Sequence, residues 1–460
     1  GDFTPYLYRS RDLGKTWENI AGNLPANHVV YSIVEDPKDP NLLFAGTEFG
    51  VFFSANAGQN WVKLTGGIPT IAVRDIAIQE RENDLVLATF GRGFYVLDDY
   101  TPLRGLTREK LEKPALLFPV KPAWAYIERT PLGSRGKGSQ GDSFFTAPNP
   151  PFGATFTYFL KEELLTLKEQ RHKAEKEAEK QGKTPPYPTP EQLRAEAQEE
   201  PPTIILTVSD PDGNVIRRLE GSKEKGMHRV TWDLRFPPAH PIRGERPQDE
   251  PAPWEPRELG PLVAPGTYQV SLSQRVRGVE TLLAGPVSFE VIPLGQATLE
   301  AKDKQAELAF HRKVQRLQRA VLAASEVVRD TGERIKRLKV AIERTPAAKP
   351  EWGTRLRQLE AELLRLDMEL FGDREMARRN EPTLPGIRDR VVRIVSSLYT
   401  ATAPATGTQK QGYEIAANQF EKFLSGLRQL VTTDLPALES ELEKAGAPHT
   451  PGRFPEWHKE

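Results

Sequence analysis

Across its 460 residues the chain balances 63 basic against 63 acidic residues, so no net field favours nucleic acid or an anionic membrane. Cysteine is absent, which excludes disulfides, thiolate metal sites and cysteine nucleophiles while leaving the compartment open. A hydrophobic content of 38% supports globular cores, no run approaches the roughly 18 apolar residues of a membrane span, and the length suits about three domains.

The first hundred residues contain a repeat. SRDLGKTW (Ser10 to Trp17) recurs as SANAGQNW (Ser54 to Trp61), and GTEFGVFFS (Gly46 to Ser54) is echoed by ATFGRGFYVL (Ala88 to Leu97), with Gly50 matching Gly93. A period of 40 to 45 residues with alternating apolar runs predicts four-stranded propeller blades. Within the motif, Ser10 and Asp12 offer acceptors to a tight turn, Gly14 tolerates positive φ, and Trp17 returns to the apolar interior. In the second copy Ser54, Gly58 and Trp61 are kept while Asn56 replaces Asp12. That exchange keeps the turn geometry and discards the charge, so the motif reads as scaffold.

The pattern S-x-D-x-G-x-T-W between alternating strands resembles the Asp-box (BNR) repeat of sialidases, sortilin-like receptors and many bacterial proteins labelled glycosyl hydrolase. The segment YSIVEDPKDPNLLFAGTEFGVFFS (Tyr31 to Ser54) is similar to the rest of such a blade, and ATFGRGFYVLDD looks like the closing blade of a bacterial sortilin-like propeller. The resemblance implies an Asp-box hairpin at the outer edge of each blade, away from any active site. About two blades are present in residues 1–105, whereas closed propellers hold 4 to 8. With Gly1 in place of an initiator Met, the chain is expected to be the C-terminal part of a longer protein whose remaining blades lie upstream.

Residues 106–151 read as a linker. Its stretch GSRGKGSQGD (Gly133 to Asp142) lacks Walker spacing and reads as a flexible loop. Residues 152–295 are expected to form a small β-sandwich, with strands at Phe152 to Leu160, Thr203 to Asp210, Val215 to Gly221, His228 to Arg235, Gly266 to Gln274 and Pro286 to Pro293. VSDPDGNVIRRLEG, GMHRVTWDLR and APGTYQVSL resemble the Ig-like domain of flagellar hook-capping proteins, which makes Trp232 a core residue. Asp210, Asp212 and Asn214 resemble the start of a calcium loop without its distal acidic ligand, and a hairpin turn accounts for them. A charged helical insertion is expected over 161–200. Residues 296–446 carry helical spacing in four segments (Ala301 to Thr345, Trp352 to Phe371, Ile387 to Tyr399, Gln411 to Ala445 with a bend near Pro436), predicting an antiparallel bundle before a tail at 447–460.

The expected fold is therefore multidomain, β plus α: a partial β-propeller, an Ig-like β-sandwich with a helical insertion, and a helical bundle. The seven histidines are scattered, no HExxH spacing occurs, and no catalytic residue, metal site or cofactor is assigned. Arg74 and Arg92 read as isolated in strand-edge turns. Loops near Glu48, Phe49, Arg92 and Phe94 are the candidates to face the propeller channel, against the alternative of packing between blades. The resemblance implies a secreted or periplasmic protein that binds a protein or glycan ligand through the full propeller, with upstream blades as partners. Its alternative is the accessory region of a sialidase-like glycoside hydrolase, and a structural spacer is a third option.

Overall fold

Alternation in the first hundred residues becomes three successive small sheets. The structure, a computed structural model, describes residues 1–129, 141, 143, 147–242, 258–295, 299–457 and 459 and is mixed β plus α. The described residues divide into two compact units. The first holds 1–123, 147–233 and 266–291, and the second holds the rest. No helix among the described residues is long and apolar enough to cross a membrane.

The first unit begins with a two-stranded sheet of β1 (Tyr8–Arg9) and β2 (Glu18–Asn19). A four-stranded meander follows, from β3 (Val30–Glu35) through β4 (Leu43–Thr47) and β5 (Gly50–Ser54) to β6 (Val62–Lys63). Next come β7 (Val73–Gln79), β8 (Asp84–Thr89) and β9 (Phe94–Leu97) as a three-stranded meander. Leu43, Ala45, Phe52 and Trp61 pack with Leu7, Ile20, Ala21 and Leu24, so one face of the second sheet is sealed by the β1–β2 segment. Phe44 and Phe53 share the next core with Ile76, Leu85 and Leu87, which joins the second sheet to the third. Each sheet thus buries its alternate residues against its sequence neighbour.

Both copies of the Ser10–Trp17 motif form the expected turn. Ser10 Oγ accepts from the Gly14 N–H at 2.7 Å and Asp12 accepts from the Thr16 N–H at 2.9 Å; Ser54 and Asn56 repeat this toward Gly58 and Asn60, both at 2.9 Å. Leu13 and Gly14 have φ of 59° and 88°, and Ala57 and Gly58 have 58° and 90°. Close approach also fixes Gly46, where a Cβ would stand 2.6 Å from both Ser32 Oγ and Val73 O.

Arg104 locks the end of this segment back onto its middle. Its guanidinium reaches the buried carboxylate of Asp36 at 2.7 Å, and the Tyr100 hydroxyl donates to the same carboxylate at 2.6 Å. Helix α1 (Arg108–Leu111) leads on to β10 (Ala115–Leu117).

The chain leaves the first unit within β11 (Ala123–Ala125) and returns to form two further sheets. One joins β10 to β12 (Ala154–Leu160) and β15 (Gly226–Trp232), and the other runs β17 (Val279–Pro293), β16 (Gly266–Val276), β13 (Thr203–Ser209), β14 (Val215–Gly221). Edge-to-face rings join them, with Phe156 5.4 Å from Phe289 and Trp232 5.7 Å from Tyr268. Trp232 is fully buried, as a core residue should be. Asp210 accepts from the Asn214 N–H at 2.8 Å, so its carboxylate holds the β13–β14 turn. The insertion is two helices, α2 (Leu167–Lys180) and α3 (Pro190–Gln198), neither with a buried residue, joined by the pairing of Arg171 with Glu196. Arg229 donates to the carbonyls of Asp98 and Asp99 at 2.6 and 2.5 Å, tying β15 to the end of the third repeat sheet.

The second unit is built on α4 (Lys304–Glu343), α5 (Pro350–Phe371), α6 (Arg374–Arg378), α7 (Ile387–Tyr399), α8 (Gly407–Gln429) and α9 (Leu435–Lys444). Val321, Leu338, Leu356, Leu366, Val391, Phe423 and Leu438 share one core, each from the apolar stripe of its helix. Near Pro436, where a bend is expected, the helix passes through a π-helical turn at Leu430–Asp434, and Pro436 sits in the first turn of α9. Gly133 to Asp142 lies, apart from Gly141, outside the described residues.

Candidate functional site

The four-stranded and three-stranded meanders carry the same irregularity at the same place. In β3 paired with β4, Val30 faces Thr47 and Ser32 faces Gly46, so Tyr31 is an extra residue. In β7 paired with β8, Val73 faces Thr89 and Asp75 faces Ala88, so Arg74 is extra in the same way. Bulges re-aim a side chain out of the regular alternation, and they recur beside functional sites. Here they bring Tyr31 and Arg74 together: the Arg74 Cζ lies 3.9 Å from the Tyr31 ring centroid and 5.3 Å from that of Phe90.

The turns beyond the bulges are equally matched. Thr47 Oγ1 donates to the Gly50 carbonyl at 2.9 Å, and Thr89 Oγ1 to that of Gly93 at 2.7 Å. The N–H of Glu48 bonds Val29 O at 3.0 Å and that of Phe90 bonds Ala72 O at 2.9 Å. Each turn therefore plants one side chain beside a bulge residue, Glu48 in the first and Phe90 in the second. The Tyr31 hydroxyl donates to the Glu48 carboxylate. Phe49 packs edge-on to His28 at 5.2 Å.

Tyr31, Arg74, Glu48 and Phe90 thus form one contiguous group built by two repeats. Arg74 and Phe90 are exposed, the latter by 68%, while Tyr31 and Glu48 are half-buried. No described carboxylate pairs with Arg74. Ring contact restrains the guanidinium and leaves its N–H donors open, which suits planar acceptors. Among the described residues no cluster of three or more His, Asp or Glu side chains is placed to hold a metal.

Of the residues singled out from sequence, Glu48 belongs to this group through its bond from Tyr31, while Phe49 packs on His28. Arg92 lies in the exposed Gly91–Gly93 turn, and Phe94 is 76% exposed at the start of β9, so it does not pack between the described sheets. Arg74 is not isolated in a strand-edge turn; the bulge places it within β7 against Tyr31. Tyr31 was not singled out and Arg74 was misplaced because a bulge is a property of strand register; Phe90 was not singled out either. The available signal was the repeat itself, which sets Tyr31 and Arg74 at equivalent positions 43 residues apart. Ser10, Asp12, Gly14, Ser54, Asn56 and Gly58 form their own turns, and none touches the group. Trp61 is buried and Trp17 is exposed.

No family model matches the chain, and no curated protein matches it. Among solved structures it is similar to the extracellular domain of the hybrid two-component system BT4673 from B. thetaiotaomicron, at 12% identity and a TM-score of 0.18, over 63% of this chain and 29% of that one. A second structure of that extracellular domain, described as a one-component system, gives 13% identity and a TM-score of 0.17 over 62% and 28%. The chain spans under a third of the length of either, and at these TM-scores the likeness carries no argument about fold or function.

Proposed function

We propose that residues 1–105 are blades of an Asp-box β-propeller, that the two later sheets are an Ig-like sandwich, and that the protein binds a protein or glycan ligand at the face formed by Tyr31, Glu48, Arg74 and Phe90. The observation that carries the reading is the duplicated bulge, which sets an aromatic ring and an open guanidinium side by side at the repeats' equivalent positions. Sheets stacked in sequence order, with an Asp-box tryptophan sealing one to the next, support the propeller assignment. Trp17 and the outer side of β9 (Phe94, Val96) are exposed, which suits further blades of the same protein as partners on either side. Under this reading the protein acts outside the cytoplasm, and its chemistry is recognition rather than catalysis.

The test is a screen of the 460-residue chain on glycan and peptide arrays beside the double variant Tyr31→Ala, Arg74→Ala. Capture of a defined ligand that the variant loses supports the proposal. Capture that the variant retains in full overturns it.

A further inference from the structure

Arg74 stands apart from the exposed arginines around it by what touches it. Two rings restrain its guanidinium, and no described carboxylate uses its N–H edge. Arg92, by contrast, stands on a glycine turn with Gly91 and Gly93 at φ of 77° and 69° and no ring against it. A held guanidinium with open donors matches a carboxylate, because the fork of N–H groups fits two coplanar oxygens.

The neighbouring acceptor narrows the ligand further. Glu48 meets the Tyr31 hydroxyl while Arg74 meets the Tyr31 ring, so one tyrosine carries a donor group and an acceptor group next to each other. Asp75, the other acid nearby, already accepts from the Ile76 N–H at 2.9 Å. A ligand that offers a carboxylate to Arg74 is disfavoured if it brings a second anion near Glu48 and favoured if it offers a hydrogen-bond donor there. A carboxylated sugar ring has both groups on adjacent carbons, and the exposed ring of Phe90, 5.3 Å from the Arg74 guanidinium, offers it apolar surface.

We propose that Arg74 and Glu48 form a subsite for a uronate residue of an acidic saccharide, with Arg74 donating to the carboxylate and Glu48 accepting from a ring hydroxyl. This deepens the reading of the paired bulges as a ligand face and rests on it.

Calorimetric titration of the 460-residue chain with trigalacturonate, with neutral trigalactose and with a tri-aspartate peptide tests the subsite. The expected result is binding of trigalacturonate at least tenfold tighter than of the other two, and at least a tenfold loss in Arg74→Met. An unchanged melting temperature in that variant separates the effect from misfolding. Equal binding of the neutral and acidic sugars, no binding of trigalacturonate, or retention of its binding in Arg74→Met overturns the uronate subsite. Tighter binding of tri-aspartate overturns the saccharide assignment. None of these outcomes decides the ligand face itself, which falls only if array capture is indifferent to loss of Tyr31 and Arg74 together.

Discussion

Trp61 donates its indole N–H to the carbonyl oxygen of Ile20 at 2.9 Å, across a separation of 41 residues. Asn23 clasps the same tryptophan, accepting from its backbone N–H at 2.6 Å and donating to its carbonyl at 3.1 Å. Gly58 keeps the gap narrow, since a Cβ there would lie 2.7 Å from Ile20 Cβ. Trp61 is thus a lock between successive repeats. Its counterpart Trp17 is 64% exposed where Trp61 is 3% exposed.

The two tryptophans should therefore respond differently to truncation. Trp61→Ala removes a buried ring and its hydrogen bond and should cost about 3–5 kcal/mol. Trp17→Ala should stay within about 0.5 kcal/mol. Chemical denaturation of both variants checks this, and equal losses would remove the lock.

At Asp12 the second copy predicts the first. Hydrogen bonds from the Thr16 backbone and side chain hold the Asp12 carboxyl below its ordinary range, yet Asn56 performs the same turn uncharged. Asp12→Asn should lower the melting temperature slightly, since it loses the charge and the bond from the Thr16 hydroxyl, while Asp12→Ala should lower it further. A loss of ligand capture in a folded Asp12→Asn protein would give the motif a role beyond the turn.

Acid should loosen the first unit through Asp36. Burial works to raise its pKa, but hydrogen bonds from Arg104, Tyr100 and the N–H groups of Lys38 and Asp39 outweigh it and leave it below the ordinary value. For a carboxylate lowered in the folded state, the stabilisation is present above the unfolded pKa near 4 and is lost as pH falls through the folded value. Asp36→Asn should destabilise by about 3 kcal/mol at neutral pH, because it strands the Arg104 charge, and should flatten the acid limb of the stability profile. Urea unfolding between pH 2 and 7 measures both effects.

In the second unit His311 should act over a higher range. Burial lowers its pKa, and its Nε2 is buried without a partner. A histidine kept neutral by burial stabilises fully above its unfolded pKa of about 6.5, and that contribution is lost as pH falls through the folded value. His311→Leu should remove this dependence, so that the variant gains on the parent as the solution is acidified. Thermal melts from pH 4 to 8 would show it, and parallel profiles would exclude it.

Helix limits and turns were readable because each rests on local chemistry. Ile387 to Tyr399 forms the helix its periodicity predicts, and Ser10 to Gly14 closes the turn its side chains predict. In the fourth helical segment an irregularity near Pro436 was readable from the proline, but its form, a π turn at Leu430–Asp434, was not. Tyr31 was missed, and Arg74 was placed in a strand-edge turn, for a different reason. Each lies in an alternating run that gives no local sign of an extra residue, and only the pairing of β3 with β4 and of β7 with β8 reveals it. Glu48 and Phe49 were singled out because their glycine turn is local; their partners Tyr31 and His28 were not.

The most direct measurement of the ligand face compares two arginines on the same repeat. Arg74→Met and Arg92→Met remove the same charge a few residues from the same turn, but only Arg74 sits on the paired bulges. For whichever ligand the arrays identify, Arg74→Met should weaken capture at least tenfold and Arg92→Met less than twofold. Equal losses would indicate diffuse charge, and full retention by Arg74→Met would contradict the site.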